Sequence, residues 1–163
     1  MQTYHHATTD RRSLSFLVFA LLLVGGFFAA HANTADQVAP SAEEAEPIGV
    51  GTGAPDAGLR DVEGKEVTLH RIIAGKPTVL IFYRGSWCPY CNAHLSDLVT
   101  VEQELRSLGY QIIAISPDRP EELNGMTIAD HLNYRLFSDS HAEAMIKFGV
   151  AYRVDDTAVK NFK

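Results

Sequence analysis

Two unbroken apolar runs, Val79-Leu80-Ile81-Phe82-Tyr83 and Ile112-Ile113-Ala114-Ile115, dominate the hydrophobic pattern of this chain. Runs of this length without polar interruption predict strands covered on both faces, as at the centre of an α/β sheet. Between them Leu95, Leu98, Val101, Leu105 and Leu108 recur at spacings of 3, 3, 4 and 3, which predicts one helical face closed by Gly109. A helical crossover makes the two flanking strands parallel neighbours. The remaining pattern is weaker. Leu59 to Leu69 predicts two short strands around a turn at Glu63-Gly64. Asp118 with Glu121 predicts a capping box, with Pro120 in the first helical turn, and Arg135-Leu136-Phe137 a third strand. Ser140 with Glu143 predicts a second capping box, for a helix running to Phe148 and Gly149. Strand and helix alternate, so the expected class is α/β, a sheet with helices on both faces.

The first 32 residues have a different pattern. Arg11-Arg12 precede an apolar run from Leu14 to Ala30, broken only by Ser15, Gly25 and Gly26, and ending in Ala30-His31-Ala32. A basic start, an apolar stretch and an A-x-A site together predict a secretory signal cleaved after Ala32, and hence export to a periplasm or medium. An uncleaved anchor through residues 14–30 is the alternative, and only then is a membrane a partner. Residues 33–47, with Asn, Thr, Asp, Gln, Ser, Glu and two prolines, predict a polar, structureless linker ahead of a domain over 48–163. The net charge of the 163 residues is −6; residues 1–32 contribute +1 through Asp10, Arg11 and Arg12, leaving −7 on the rest. An acidic domain with no Lys/Arg stripe excludes nucleic acid as a partner.

The chemistry concentrates on Trp87-Cys88-Pro89-Tyr90-Cys91, which holds the chain's two cysteines. The first apolar strand delivers this string to the start of the long helix. Cys88 falls at the N-cap or first turn, with Pro89 just inside, where unpaired N–H groups and the positive end of the helix dipole favour thiolate. Three residues of helix bring Cys91 onto nearly the same face, within disulfide reach of Cys88. An attacking thiolate beside a resolving thiol is what thiol–disulfide exchange needs. Bland readings compete. A zinc site needs about four ligands, and His94 has no second histidine at ligand spacing. A purely structural disulfide closes a loop too short to gain much from closure. Trp87 and Tyr90 would form a flat apolar lip for a substrate, or Trp87 would simply pack on the strand. Arg84 would raise the local positive potential, or be a solvated arginine; His94 would be an exposed helix residue, and His131 and His141 carry no motif.

Gly53-Ala54-Pro55-Asp56, the Gly64 turn and above all Phe82-Tyr83-Arg84-Gly85-Ser86-Trp87-Cys88-Pro89-Tyr90-Cys91 resemble the thioredoxin-like superfamily. Within it the chain is similar to the peroxiredoxin-like AhpC/TSA (alkyl hydroperoxide reductase/thiol-specific antioxidant) group. Ile113-Ala114-Ile115-Ser116, Leu136-Phe137-Ser138-Asp139 and Phe148-Gly149-Val150 fit the same pattern, so the likeness covers residues 48–163. Two departures stand out. Where the family has Pro-x-x-x-Thr-x-x-Cys, Arg84 replaces the proline and Cys88 the threonine, while Cys91 takes the peroxidatic position. Thioredoxin logic thus makes Cys88 the attacker and peroxiredoxin logic Cys91. The family fold also continues beyond Lys163 with a cis-proline turn, two strands and a helix. Without these the chain is expected to be truncated, with its strand at 79–82 an exposed edge prone to aggregation. The resemblance implies a mixed central sheet and reduction of peroxides through the Cys88/Cys91 pair. It implies re-reduction by an external dithiol such as a thioredoxin-like protein, with no metal or organic cofactor. An exported oxidoreductase acting on protein disulfides is the rival, and an inactive remnant with an inert disulfide the third reading.

Overall fold

The computed structural model describes residues 38–130 and 132–161. The expected signal segment 1–32, the start of the expected linker at 33–37, His131 and residues 162–163 lie outside the described residues. Among the described residues five strands and five helices are seen: β1 (Gly58–Arg60), β2 (Glu66–Thr68), α1 (Leu69–Ile73), β3 (Thr78–Phe82), α2 (Pro89–Ser107), β4 (Gln111–Ser116), α3 (Pro120–Asp130), β5 (Arg135–Ser138), α4 (Glu143–Lys147) and α5 (Asp156–Asn161). The strands form one sheet in the order β2-β1-β5-β4-β3. The long apolar strands pair in parallel, Val79 opposite Ile112 through Phe82 opposite Ile115, and β4 pairs in parallel with β5. β1 runs antiparallel to both β2 and β5, so the sheet is mixed. Among the described residues no helix is long and apolar enough to cross a membrane; the candidate span at 14–30 lies outside them.

Alternation within the apolar runs builds two cores. On one face Ile113 and Ile115 of β4 pack with Leu59, Leu69, Ile72, Phe137 and Phe148, against α1 and α4. On the other, Ile112 and Ala114 pack with Tyr83, Leu95, Leu123, Met126 and Leu136, against α2 and α3. β3 contributes Leu80 and Phe82 to the first core and Val79 and Ile81 to the second. It is therefore covered on both faces, as its run predicts, but it is not central. It stands at the end of the sheet with all five residues half-buried, whereas Ile113, Ala114 and Ile115 of β4 are fully buried.

Several local expectations need correction. On α2 the inward line is Leu95, Leu98, Val99, Glu102 and Leu105; Val101 and Leu108 face solvent. Glu102 lies two turns beyond Leu95 at almost the same angle, whereas Val101 is rotated about 100° from Glu102. The Glu102 carboxylate reaches that buried position because Arg106, one turn on, pairs with it at 3.0 Å. Leu69 ends no strand: Thr68 caps α1 instead, its hydroxyl accepting from the Arg71 N–H. Neither capping box forms as read. Glu122 rather than Glu121 accepts the Arg119 N–H (3.0 Å), and Asp118 turns inward. At α4 the first turn is capped by buried Asp139, whose Oδ2 accepts the Met145 N–H (2.8 Å), not by Ser140. The described part of the polar stretch is held rather than structureless. Ala39 pairs with Tyr152, donating to Ala151 O (2.9 Å) and accepting from Arg153 N–H (2.8 Å).

Candidate active site

The parallel strands β3, β4 and β5 end along one edge of the sheet, at Phe82, Ser116 and Ser138. In open α/β sheets this carboxyl edge is where ligands and chemistry gather. The loop leaving β3, Arg84 to Trp87, folds over that edge and enters α2. Cys88 is the N-cap, extended at φ −90° and ψ 106°, and its Sγ accepts the Cys91 N–H at 3.3 Å. Pro89 occupies the first helical turn, where no N–H is required. Both cysteines are thiols, and the Cys91 S–H points at Cys88 Sγ with the sulfurs 2.6 Å apart.

The two sulfurs differ in environment. Cys88 is 2% exposed and Cys91 partly exposed. Burial opposes ionisation of Cys88, but the Cys91 thiol, the N–H groups of Cys91 and Tyr90 and the Arg84 charge outweigh it and pull its pKa below the ordinary thiol value. Burial pushes Cys91 up, as do its hydrogen bond to Cys88 and the Cys88 charge, although the Arg84 N–H and guanidinium act the other way. Of the two sulfurs Cys88 is therefore the one that ionises more readily, and Cys91 is the more accessible.

Around the pair, Arg84 is exposed and lies over the Trp87 ring, 4.9 Å from its centroid, a cation–π contact. Trp87 is 50% exposed and Tyr90 86%, so both flank the sulfurs at the surface rather than packing into the core. His94 is exposed, as expected of a helix-surface histidine, and His141 is exposed in the loop after β5. Among the described residues no cluster of three or more His, Cys, Asp or Glu is placed to hold a metal ion.

Sequence reasoning missed the residues beneath the loop. The Ser86 N–H donates to Asp118 Oδ2 (2.7 Å) and the Ser86 carbonyl accepts from Asn92 Nδ2 (2.8 Å). Asp118 in turn accepts from Ser116 Oγ (2.9 Å), and its own carbonyl accepts from Ser138 Oγ (2.6 Å). Tyr83 is buried under Cys91, its hydroxyl donating to Met126 Sδ (3.7 Å). Burial pushes its pKa up to about 12, the Ser116 hydroxyl opposing and the Asp118 and Cys91 charges reinforcing the shift. The inward-turned Asp118 leaves no local signal, since its sequence neighbours read equally well as a helix start.

A family model described as AhpC/TSA matches residues 50–161. The chain belongs to the AhpC/TSA family. Among curated relatives, Peroxiredoxin Bcp of Escherichia coli is 31% identical over 104 residues, 64% of this chain and 66% of Bcp. Chloroplastic Peroxiredoxin Q of Gentiana triflora is 28% identical over 103 residues, 63% of this chain and 47% of that protein. The chain of this AhpC/TSA protein thus spans two thirds or less of the length of these relatives. In structure it is similar to Peroxidoxin BcpB of Mycobacterium tuberculosis, with a TM-score of 0.57 at 23% identity over 61% of this chain and 64% of the other. Peroxiredoxin Q of Xanthomonas campestris gives 0.52 at 24%, over 56% and 58%. These likenesses show the thioredoxin-like α/β fold expected from the sequence.

Proposed function

We propose that this AhpC/TSA protein is a thiol-dependent peroxide reductase that works through Cys88 and Cys91. The observation that carries the reading is the pair itself: two thiols on one helix turn, 2.6 Å apart, one held toward thiolate by the helix N-terminus and Arg84. Likeness to peroxiredoxins over residues 50–161 supports the substrate class. In the reaction a thiolate sulfur attacks one peroxide oxygen; the O–O bond breaks, the leaving oxygen takes a proton and departs as water or alcohol. The sulfenic acid that remains condenses with the neighbouring thiol, losing water and forming the Cys88–Cys91 disulfide. A dithiol from outside, of the kind a thioredoxin-like protein carries, returns the pair to two thiols. Trp87 and Tyr90 offer that reductant a flat apolar surface. Export, by way of Arg11-Arg12, the run from Leu14 to Ala30 and Ala30-His31-Ala32, is part of the proposal.

A second reading has its own support. The lower-pKa sulfur is Cys88, the first cysteine of the pair, which suits an oxidoreductase acting on protein disulfides. Turnover of hydrogen peroxide and of an insulin-type disulfide, each coupled to a dithiol, separates the two. Peroxide consumption that disappears in both Cys88→Ser and Cys91→Ser supports the first. Disulfide reduction without peroxide turnover replaces it with the second. Loss of neither activity in these variants excludes the pair from both.

A further inference from the structure

Ser86 sits at the middle of the loop that carries Arg84 to the cysteines, and its peptide is gripped from two elements. From α2, Asn92 Nδ2 holds the carbonyl; from the end of β4, Asp118 Oδ2 holds the N–H at 2.7 Å. Asp118 is 6% exposed, far from the position of a solvated helix-cap acid. It is braced from behind by the Ser116 hydroxyl on its side chain and the Ser138 hydroxyl on its carbonyl. The loop has no slack there. At Gly85, with φ +145°, an added Cβ would lie 2.5 Å from Trp87 Nε1 and 2.8 Å from Asp118 Oδ1. The chain therefore passes Asp118 at the closest approach a backbone allows, directly between Arg84 and Trp87.

We propose that Asp118 is a positioning residue for the cysteine pair: by accepting the Ser86 N–H it fixes the Gly85–Trp87 turn, which carries Arg84 and the Trp87 ring it lies over to the helix start that holds Cys88 and Cys91. The inference rests on the reading that the pair is a redox centre. A buried carboxylate is costly to keep, and an acid that only filled space would be replaced by an apolar group without loss. Here it performs a task an apolar group cannot, accepting an N–H in the turn between Arg84 and Trp87. The groups that face it are Ser86 of the loop, Ser116 of β4, Glu122 of α3 and, beyond Ser116, Tyr83 at the end of β3.

A negative charge alone and a positioning contact act on the thiols with opposite signs. Removing the charge makes a nearby thiolate easier to form; releasing the loop lets Arg84, which favours ionisation of both sulfurs, move away and makes it harder. The test is alkylation of Cys88 and Cys91 against pH in the reduced full-length chain, with each site assigned by mass spectrometry and each variant checked for a single thermal transition. Asp118→Ala is expected to slow the faster-reacting cysteine about three- to tenfold at neutral pH and to move its profile upward. Asp118→Asn, whose amide oxygen still accepts from Ser86, is expected to react at the wild-type rate or faster. If Asp118→Ala does not fold, Asp118→Ser, which keeps a hydroxyl for Ser116 but stops short of Ser86, is expected to show the same slowing. An unchanged profile in a folded Ala or Ser variant overturns the proposal, and so does acceleration in all variants alike, the signature of charge alone. Failure of both Ala and Ser to fold would also overturn it, in favour of a purely structural role. Wild-type thiols that both titrate as unperturbed cysteines would instead remove the redox reading itself.

Discussion

At Cys88 and Cys91 two sulfurs lie in contact, and they differ in which one accepts: the Cys91 thiol and N–H favour ionisation of Cys88, whereas Arg84 favours it at both. Cys88 accepts the Cys91 N–H and the Cys91 S–H, so its thiolate is hydrogen-bonded twice by a single neighbour. Cys91 is held protonated by that same arrangement, behind burial as the larger cause. Cys88→Ser removes the more acidic sulfur and the acceptor of the Cys91 S–H together. Cys91 in that variant is therefore expected to ionise at lower pH than in the wild type, and to be alkylated several-fold faster at neutral pH. Cys91→Ser keeps a donor hydroxyl beside Cys88 and should leave the Cys88 profile below that of an ordinary thiol. The pair's reactivity should rise with pH through the lowered value of Cys88, since only the thiolate attacks. Cys88 and Cys91 could be read as a pair because N-cap position and i,i+3 spacing are local properties. Which of them ionises more readily could not, because the direction of the hydrogen bond between the sulfurs and the burial of each are set by the folded chain.

Among the elements, α4 shows how a buried acid replaces an expected cap. Its N-cap, Ala142, is left-handed (φ 56°) and offers no side-chain acceptor, so Asp139 reaches in from the end of β5 to the first-turn N–H groups. Asp139 Oδ1 is buried without a partner among the described residues. Burial pushes the Asp139 carboxyl up, more than the N–H groups of Met145, Ala144 and Glu143 pull it down. An acid raised above its unfolded value of about 3.9 contributes stability that is present below that pH and is lost as pH rises through the folded-state value. Asp139→Asn removes this contribution, so stability should fall less steeply than in the wild type as pH rises above about 4, as read from urea midpoints. The sequence suggested Ser140 as the cap because a Ser-x-x-Glu string is a sound local signal. Asp139 won because β5 ends pointing at α4, which no string of four residues can express.

At the scale of the whole molecule, the stretch before the sheet is tied to the stretch after it. Ala39 lies beside Tyr152, Ile48 N–H donates to Phe148 O (3.1 Å), and Glu46 and Pro47 cross directly over Gly149. Gly149 has φ +68° and no room for a Cβ, which would run into the Glu46 carbonyl. Gly149→Ala should therefore lower stability by about 2 kcal/mol or more, through strain and displacement of the strap together. Ala39→Pro, which deletes the donor to Ala151, should cost about 1 kcal/mol. Thermal or urea unfolding of the full chain reads both. Composition alone made residues 38–47 look like a linker, because polar residues with two prolines form no regular element by themselves. Held by backbone hydrogen bonds from residues 148–153, they need no apolar pattern of their own.

The sequence by itself determined the order of the main elements, the parallel pairing of the two apolar strands and the meeting of two cysteines on one helical turn. Each of these follows from residues close together in the chain: an apolar run, a period of three to four, a CxxC string. The tertiary structure alone decided that Glu102 rather than Val101 faces inward, and that Cys88 ionises more readily than Cys91. It alone brought Asp118 beneath Ser86, across 32 positions of sequence. Such contacts arise only when β3 and β4 are laid side by side and their ends converge, and no local pattern encodes the partner that waits there.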